Sequence, residues 1–307
     1  MIPGDLRARP KTAEEILEEL GIRRPHDIDV EVIAEHCGAT VAYEPLISCE
    51  ARIVGINDRA IITVNERSIR PRQRFSAAHE LGHWLHDRGH LACVCKEHSI
   101  SGSWTGQDRE ARANFFAADL LLPRFMFAPL ARGRDITFDT VERLGEPFQT
   151  SLTATGIRLV KDGSYPAMMI CSSLTKGREW FVASSEVERR LWPVKAPTRE
   201  SVAFQLLRGK EVEPAPVDVD ADVWIDHEDA AEYVVREDSR KITAELVPTL
   251  LWWKDQSRIQ DLEHESQTAC RALTRENSFH LEEVGCFSSK KRRTVSRSLS
   301  MGSNELT

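Results

Sequence analysis

Apolar residues recur at helical spacing from residue 13 to 36, alternate between 40 and 65, and return to helical spacing from 70 to 160. Thr12-Ala-Glu-Glu15 is a capping box opening a helix with Ile16, Leu17 and Leu20 on one face, closed by Gly21. Asp29 caps a second helix carrying Val32, Ile33 and Ala34 and ending at Gly38. Such a pair suits the start of a helix-turn-helix or a helical layer beside a core, and the layer is the reading favoured. Three strands follow, Thr40–Tyr43, Glu50–Ile56 and Ala60–Val64, the last two joined by an Asn57-Asp58 turn. Pro71 then starts a helix where its missing N–H costs little. Its predicted buried stripe is Phe75, Ala78, Leu81 and Leu85, which leaves His79, Glu80 and His83 facing another way.

A Gly-, Ser- and His-rich loop runs to about Gln107, and Asp108 caps a helix that ends at Pro123. Ala113, Phe116, Ala117, Leu120 and Leu121 form its apolar face. Residues 136–160 predict two helices joined through Gly145 and Pro147, with Leu144, Phe148, Leu152 and Ile157 buried. This pair too has a helix-turn-helix look, but it lacks a clustered basic recognition face, so direct DNA binding is not expected. From Pro166 the pattern is β-like: 167–172 and 179–183 flank a Lys176-Gly177 turn, and further strands are predicted at 223–225, 232–236, 242–246 and 250–253, with a helix at 201–208. The fold class is therefore α+β. The expected division is a core domain at 1–130, a helical segment at 131–165, a second α+β domain at 166–258, and a disordered tail at 259–307. Lys290–Arg293 in that tail reads as a solvated charge run rather than a nucleic-acid contact.

Composition narrows the setting. The 307 residues suffice for two domains, and a net charge of −7 argues against a globally basic nucleic-acid binder. No apolar run approaches a membrane span, and the first ten residues lack the apolar stretch of a signal peptide. Seven scattered cysteines fit reduced thiols. A cytoplasmic protein without membrane contact is expected.

The chemistry concentrates in His79-Glu80-Leu81-Gly82-His83, an H-E-x-x-H pattern. Residues four apart share one helix face, so both imidazoles reach one ion. Glu80 projects about 100° round the axis, placed to take a proton from water without being a ligand. Chance alone gives this pattern to roughly one chain in a hundred of this length, so the flanks must decide. A catalytic zinc takes three protein ligands and leaves a position open. Glu110, 27 residues beyond His83 in the first turn of the next helix, is the candidate third ligand. A carboxylate there equally suits a plain helix-dipole role, and Asp108 is the fallback ligand if it is not the N-cap. Small residues after it, Ala111, Ala113 and Ala117, permit a close helix crossing. His86, His90 and Tyr43 are candidate oxyanion donors; Asn114 and Asp87 are candidates for orienting ligands from behind. Cys93-Val-Cys95-Lys-Glu-His98 could hold a second metal or act as a thiolate switch, but without a complete four-ligand set it reads as a surface loop.

Arg74-Phe-Ser-x-Ala-His79-Glu-Leu-Gly-His83-x-Leu-His86, followed by Glu110-x-x-Ala113-Asn114-x-Phe116-Ala-Ala-x-Leu-Leu-x-Pro123, resembles the ImmA/IrrE family of metallo-endopeptidases. Asp29-Val-x-x-Ile33-Ala and the strand before the His helix are similar to that family's N-terminal pattern, and Ser151-Leu-Thr-Ala-Thr and Leu250-Leu-Trp-Trp resemble it more weakly. Leu122 stands where the family usually has Met, a conservative departure. The resemblance implies a zincin-like core, a small sheet with the H-E-x-x-H helix and a glutamate helix. It further implies that His79, His83 and Glu110 bind Zn²⁺ and that Glu80 is the catalytic carboxylate. It implies a protein substrate, a helix-turn-helix transcriptional repressor cut to derepress genes. By the same analogy residues 166–258 sense a small molecule or dock the substrate. The rival reading is a non-enzymatic regulator or a toxin–antitoxin-like binding partner with a structural metal site.

Overall fold

The computed structural model describes residues 9–87, 92–93, 109–187, 191–227 and 230–254. All of them lie in one compact unit, residues 1–262; a second unit, residues 263–307, lies outside them, as do Asp108, His90, Cys95, His98 and the tail expected at 259–307. Among the described residues no helix is long and apolar enough to cross a membrane.

Local signals set the first half of the chain. Helix α1 (Ala13–Glu19) carries the predicted capping box with both of its hydrogen bonds made, and Ile16 and Leu17 are buried. Asp29 caps α2 (Val30–His36) by accepting from the Val32 N–H. Val30, Ile33 and Ala34 are buried, whereas Val32, placed on the apolar face by the sequence reading, is 60 % exposed. It stands one residue before Ile33, about 100° round the helix, and so turns to solvent.

Strands β1 (Ala39–Glu44), β2 (Ala51–Ile56), β3 (Arg59–Asn65) and the two-residue β4 (Ala92–Cys93) form a sheet in the order β1-β3-β2-β4. β1 runs parallel to β3, and the β2–β3 hairpin turns at Asn57 with φ 58°. The alternation of the strands puts Ile53, Ala60, Ile62 and Val64 on the inner face, and Val54, Ile56 and Ile61 outside. Helix α3 (Arg70–His86) packs across that inner face, crossed in turn by α4 (Arg109–Leu121).

Beyond α4 the chain departs from its sequence reading in several places. An additional helix, α5 (Arg124–Ala131), follows Pro123 at once. Gly145 and Pro147 do not join two helices: both lie inside α6 (Phe138–Phe148), and the turn to α7 (Leu152–Asp162) is made by Gln149 in a left-handed conformation, φ 55°. Leu144 and Phe148 are buried as expected, while Leu152 and Ile157 are half-buried.

The second sheet is antiparallel, ordered β6-β5-β9-β8-β7. It comprises the predicted hairpin β5 (Ala167–Ser173) and β6 (Gly177–Ala183), then β7 (Val217–Asp220), β8 (Val234–Ser239) and β9 (Leu246–Trp252), with α8 (Val202–Leu207) capped by Ser201. Three expected strands change. Residues 221–223 form a 3-10 turn and Ile225 only an isolated bridge to Pro193; β8 starts at Val234 rather than 232; and Ile242 lies in the loop before β9. Ala167, Met169, Leu250 and Trp252 join the core built by the helices and first sheet, and Met168, Ile170, Leu251 and Trp253 face a second core with Leu207 and Trp224.

Candidate metal centre

Helix α3 is buried round most of its circumference. Ala77, Ala78, Leu81 and Trp84 pack into the core with the inner face of the sheet, and the predicted Phe75 and Leu85 pack beside it half-buried. Trp84 Nε1 donates to the Cys37 carbonyl at 2.9 Å. Arg74, 5 % exposed, donates to the carbonyls of Ile28 at 3.0 Å and Phe148 at 3.4 Å. These bonds reach α3 from opposite ends and fix it along its axis and in rotation.

Across from the sheet, α4 passes α3 at Gly82. A Cβ on Gly82 would lie 3.1 Å from Ala113 Cα and 3.2 Å from Phe116 Cβ, so the two backbones meet almost directly. That crossing brings the predicted donors together. The Nε2 atoms of His79 and His83 are 3.1 Å apart, Glu110 Oε2 is 3.2 Å from His79 Nε2, and Glu110 Oε1 is 3.4 Å from His83 Nε2. His79, His83 and Glu110 thus offer three donor atoms within 4.8 Å of one another. Glu80, between the two histidines in sequence, is 1 % exposed.

The outer nitrogens decide what the inner ones present. His83 Nδ1 meets Asp87 Oδ2 at 3.0 Å, and His79 Nδ1 meets Asn114 Oδ1 at 2.9 Å. An ionised carboxylate only accepts, so His83 donates from Nδ1 and its Nε2 carries a lone pair. The Asn114 carbonyl imposes the same tautomer on His79. In that tautomer both Nε2 atoms face the Glu110 carboxylate as acceptors at close range, an arrangement that a shared cation would satisfy. Donors held about 2.0–2.2 Å from a tetrahedral zinc stand roughly 3.3 Å apart, the spacing found here. The donor set fits a divalent ion of the zinc type.

Asp87 caps α3 at its C-terminus and is 6 % exposed. Burial opposes its ionisation, but the His83 hydrogen bond and the guanidinium of Arg109 outweigh it and hold the carboxyl below its usual range. Arg109 Nε and Arg112 Nη2 each lie 3.2 Å from Asp87 Oδ1. Sequence reasoning placed Asp87 and Asn114 behind the ligands but missed both arginines. A signal existed: cations in a first helical turn run against the macrodipole and call for an acidic partner elsewhere.

Other candidates are engaged differently. The Tyr43 hydroxyl is held by Glu31 and, at 2.9 Å, by Arg70. The His86 ring stands edge-on to Phe116 with centroids 5.8 Å apart, and burial, aided by nearby Arg112, lowers its pKa. His90 lies outside the described residues, as do the side chain of Cys93 and the whole of Cys95 and His98.

Comparison with known proteins bears on the family. Residues 34–160, from α2 through most of α7, match a peptidase family described as the IrrE N-terminal-like domain. The chain carries an IrrE-like peptidase domain. The resemblance to the ImmA/IrrE metallopeptidases drawn from residues 74–123 is thereby upheld, and that family implies a metal ion. No curated protein matches the chain significantly. Among solved structures, a Mycobacterium tuberculosis transcriptional regulator is similar at 15 % identity and a TM-score of 0.53, over 78 % of this chain and 73 % of its own. At that identity the likeness concerns the fold alone. Both the IrrE-like domain and the second sheet are part of one α+β architecture.

Proposed function

We propose that this chain is a zinc-dependent endopeptidase that cuts a helix-turn-helix transcriptional repressor and so releases the genes it silences. The observation that carries the reading is the convergence of His79, His83 and the Glu110 carboxylate, with the buried Glu80 next to His79 on the same helix. In this reading His79, His83 and Glu110 hold the ion. When bound, zinc supplies a Lewis acid that polarises the scissile carbonyl and acidifies water.

The remaining work falls to the chain. Glu80 takes the proton of the attacking water on its carboxylate and returns it to the nitrogen of the departing amine. Its burial keeps bulk water from competing for that proton. Asn114 and Asp87 hold the imidazole rings in the tautomer that leaves Nε2 free to bind. The repressor as substrate rests on the family resemblance. A regulator of transcription that shares the fold is in keeping with it. Residues 166–258 are proposed as the region that docks the substrate or senses a small molecule.

The purified chain should hold about one zinc, lost in His79→Ala and Glu110→Ala. Glu80→Gln should keep the metal and lose about 10²–10⁴-fold in cleavage of a repressor encoded beside its gene. Full biological effect from Glu80→Gln would assign the chain to binding-only regulation instead.

A further inference from the structure

We infer that Asp87 is a positioning residue shared between His83 and the two arginines that flank Glu110, so that one ion-pair hub sets the spacing of second and third ligands. The inference rests on the reading of His79, His83 and Glu110 as a metal centre.

Asp87 is fixed to His83 twice. Its backbone N–H donates to the His83 carbonyl at 2.8 Å, and its Oδ2 accepts from His83 Nδ1 at 3.0 Å. The second carboxylate oxygen faces α4, where Arg109 Nε and Arg112 Nη2 both approach to 3.2 Å. Glu110 lies between those arginines in sequence, on the same helical turn. It cannot draw back from the histidines without pulling the arginines off a buried carboxylate. That carboxylate would then lose the charge compensation its burial requires.

On its other side the same helix supplies Asn114 to His79 at 2.9 Å. Helix α4 therefore contributes one ligand and, directly or through Asp87, the outer partner of both imidazoles. An ion pair serving only to hold two helices together would have no reason to end on the ring nitrogen of a ligand. Here the pair and the ligand share one carboxylate, which couples metal affinity to the arginines.

The test uses the full chain with Co²⁺ as a spectroscopic stand-in for zinc, reading the visible absorption bands and the affinity by chelator competition. Arg109→Gln/Arg112→Gln should bind about 10–100-fold more weakly, with shifted bands. Arg112→Lys should recover most of the loss of Arg112→Gln. Asp87→Asn/Arg112→Gln should bind no more weakly than Asp87→Asn alone, because Arg112 acts through Asp87. The arginines are 43 % and 38 % exposed, so their variants fold and carry the test even if Asp87→Asn does not. Wild-type affinity and bands in the double arginine variant would overturn the hub, as would full additivity of the Asp87 and Arg112 losses. A wild-type chain that binds no Co²⁺ or zinc would overturn the metal-centre reading itself.

Discussion

The α3–α4 pair and the α6–α7 pair share one core but fill it with different chemistry. Beside the apolar Ala77, Ala78, Leu81 and Trp84, α3 and its cap bury Arg74, Ser76, Glu80, His83 and Asp87, whereas α6 and α7 bury Phe138, Val141, Leu144, Phe148, Leu159 and Val160, with Thr140 and Thr155 as their polar members. The second pair has strong local signals: Thr137 caps α6 and Ser151 caps α7 with side-chain hydrogen bonds. Helix α3 starts after Ile69, which gives it no side-chain cap. Helix α3 is thus held by what reaches it from elsewhere, namely the carbonyls of Ile28, Phe148 and Cys37 and the arginines of α4. Burying such polar groups is costly for stability but leaves few alternatives for where the side chains point.

Three substitutions test that contrast. Phe148→Ala should cost about 3–5 kcal/mol in urea unfolding, because Phe148 is fully buried against Phe127, with ring centroids 5.9 Å apart. Metal affinity of the folded fraction should stay unchanged, and a parallel loss there would erase the distinction between the pairs. Gly82→Ala should cost less, about 1–3 kcal/mol, since its methyl would press on Ala113 and Phe116. Yet it should weaken metal binding, because the strain is relieved by moving α4 and Glu110 with it; metal titration of the folded variant decides. Ser151→Ala should lower stability by about 1 kcal/mol through the lost cap on α7, with no change in metal affinity.

Much of this was legible in the chain. The capping box at Thr12, the cap at Asp29, the Asn57 turn and the Lys176-Gly177 turn each rest on contacts within a few residues, and each formed as read. The histidine pair was legible because helical spacing puts residues four apart on one face, whereas Glu110, open between a ligand and a helix-dipole role, was singled out only by the family resemblance. What escaped reading depends on distant partners. Pro147 lies inside α6 at the cost of the i→i−4 hydrogen bond its missing N–H would make, and a glutamine makes the turn that glycine was expected to make. Helix α5 contains Pro129 and carries no side-chain cap, so nothing local announced it. The segment 223–225 has the residues of a strand but no neighbouring strand beyond one bridge. The arginine hub needed α4 in place before Asp87 and Arg112 became neighbours.

Strands β5 and β9 look in two directions. Met169 and Trp252 belong to the core that supports α3, and their sequence neighbours Met168, Leu251 and Trp253 belong to the other. Along these strands, adjacent positions are therefore answerable to different selective constraints. A methyl group gained at 169 must be accommodated by α7, where Gly156 has no room for a Cβ beside the Met169 sulfur, while one gained at 168 is settled among Trp224 and Leu207. Lineages of this fold should drift in alternate registers, odd residues of β5 co-varying with α7 and even ones with the far side of the sheet.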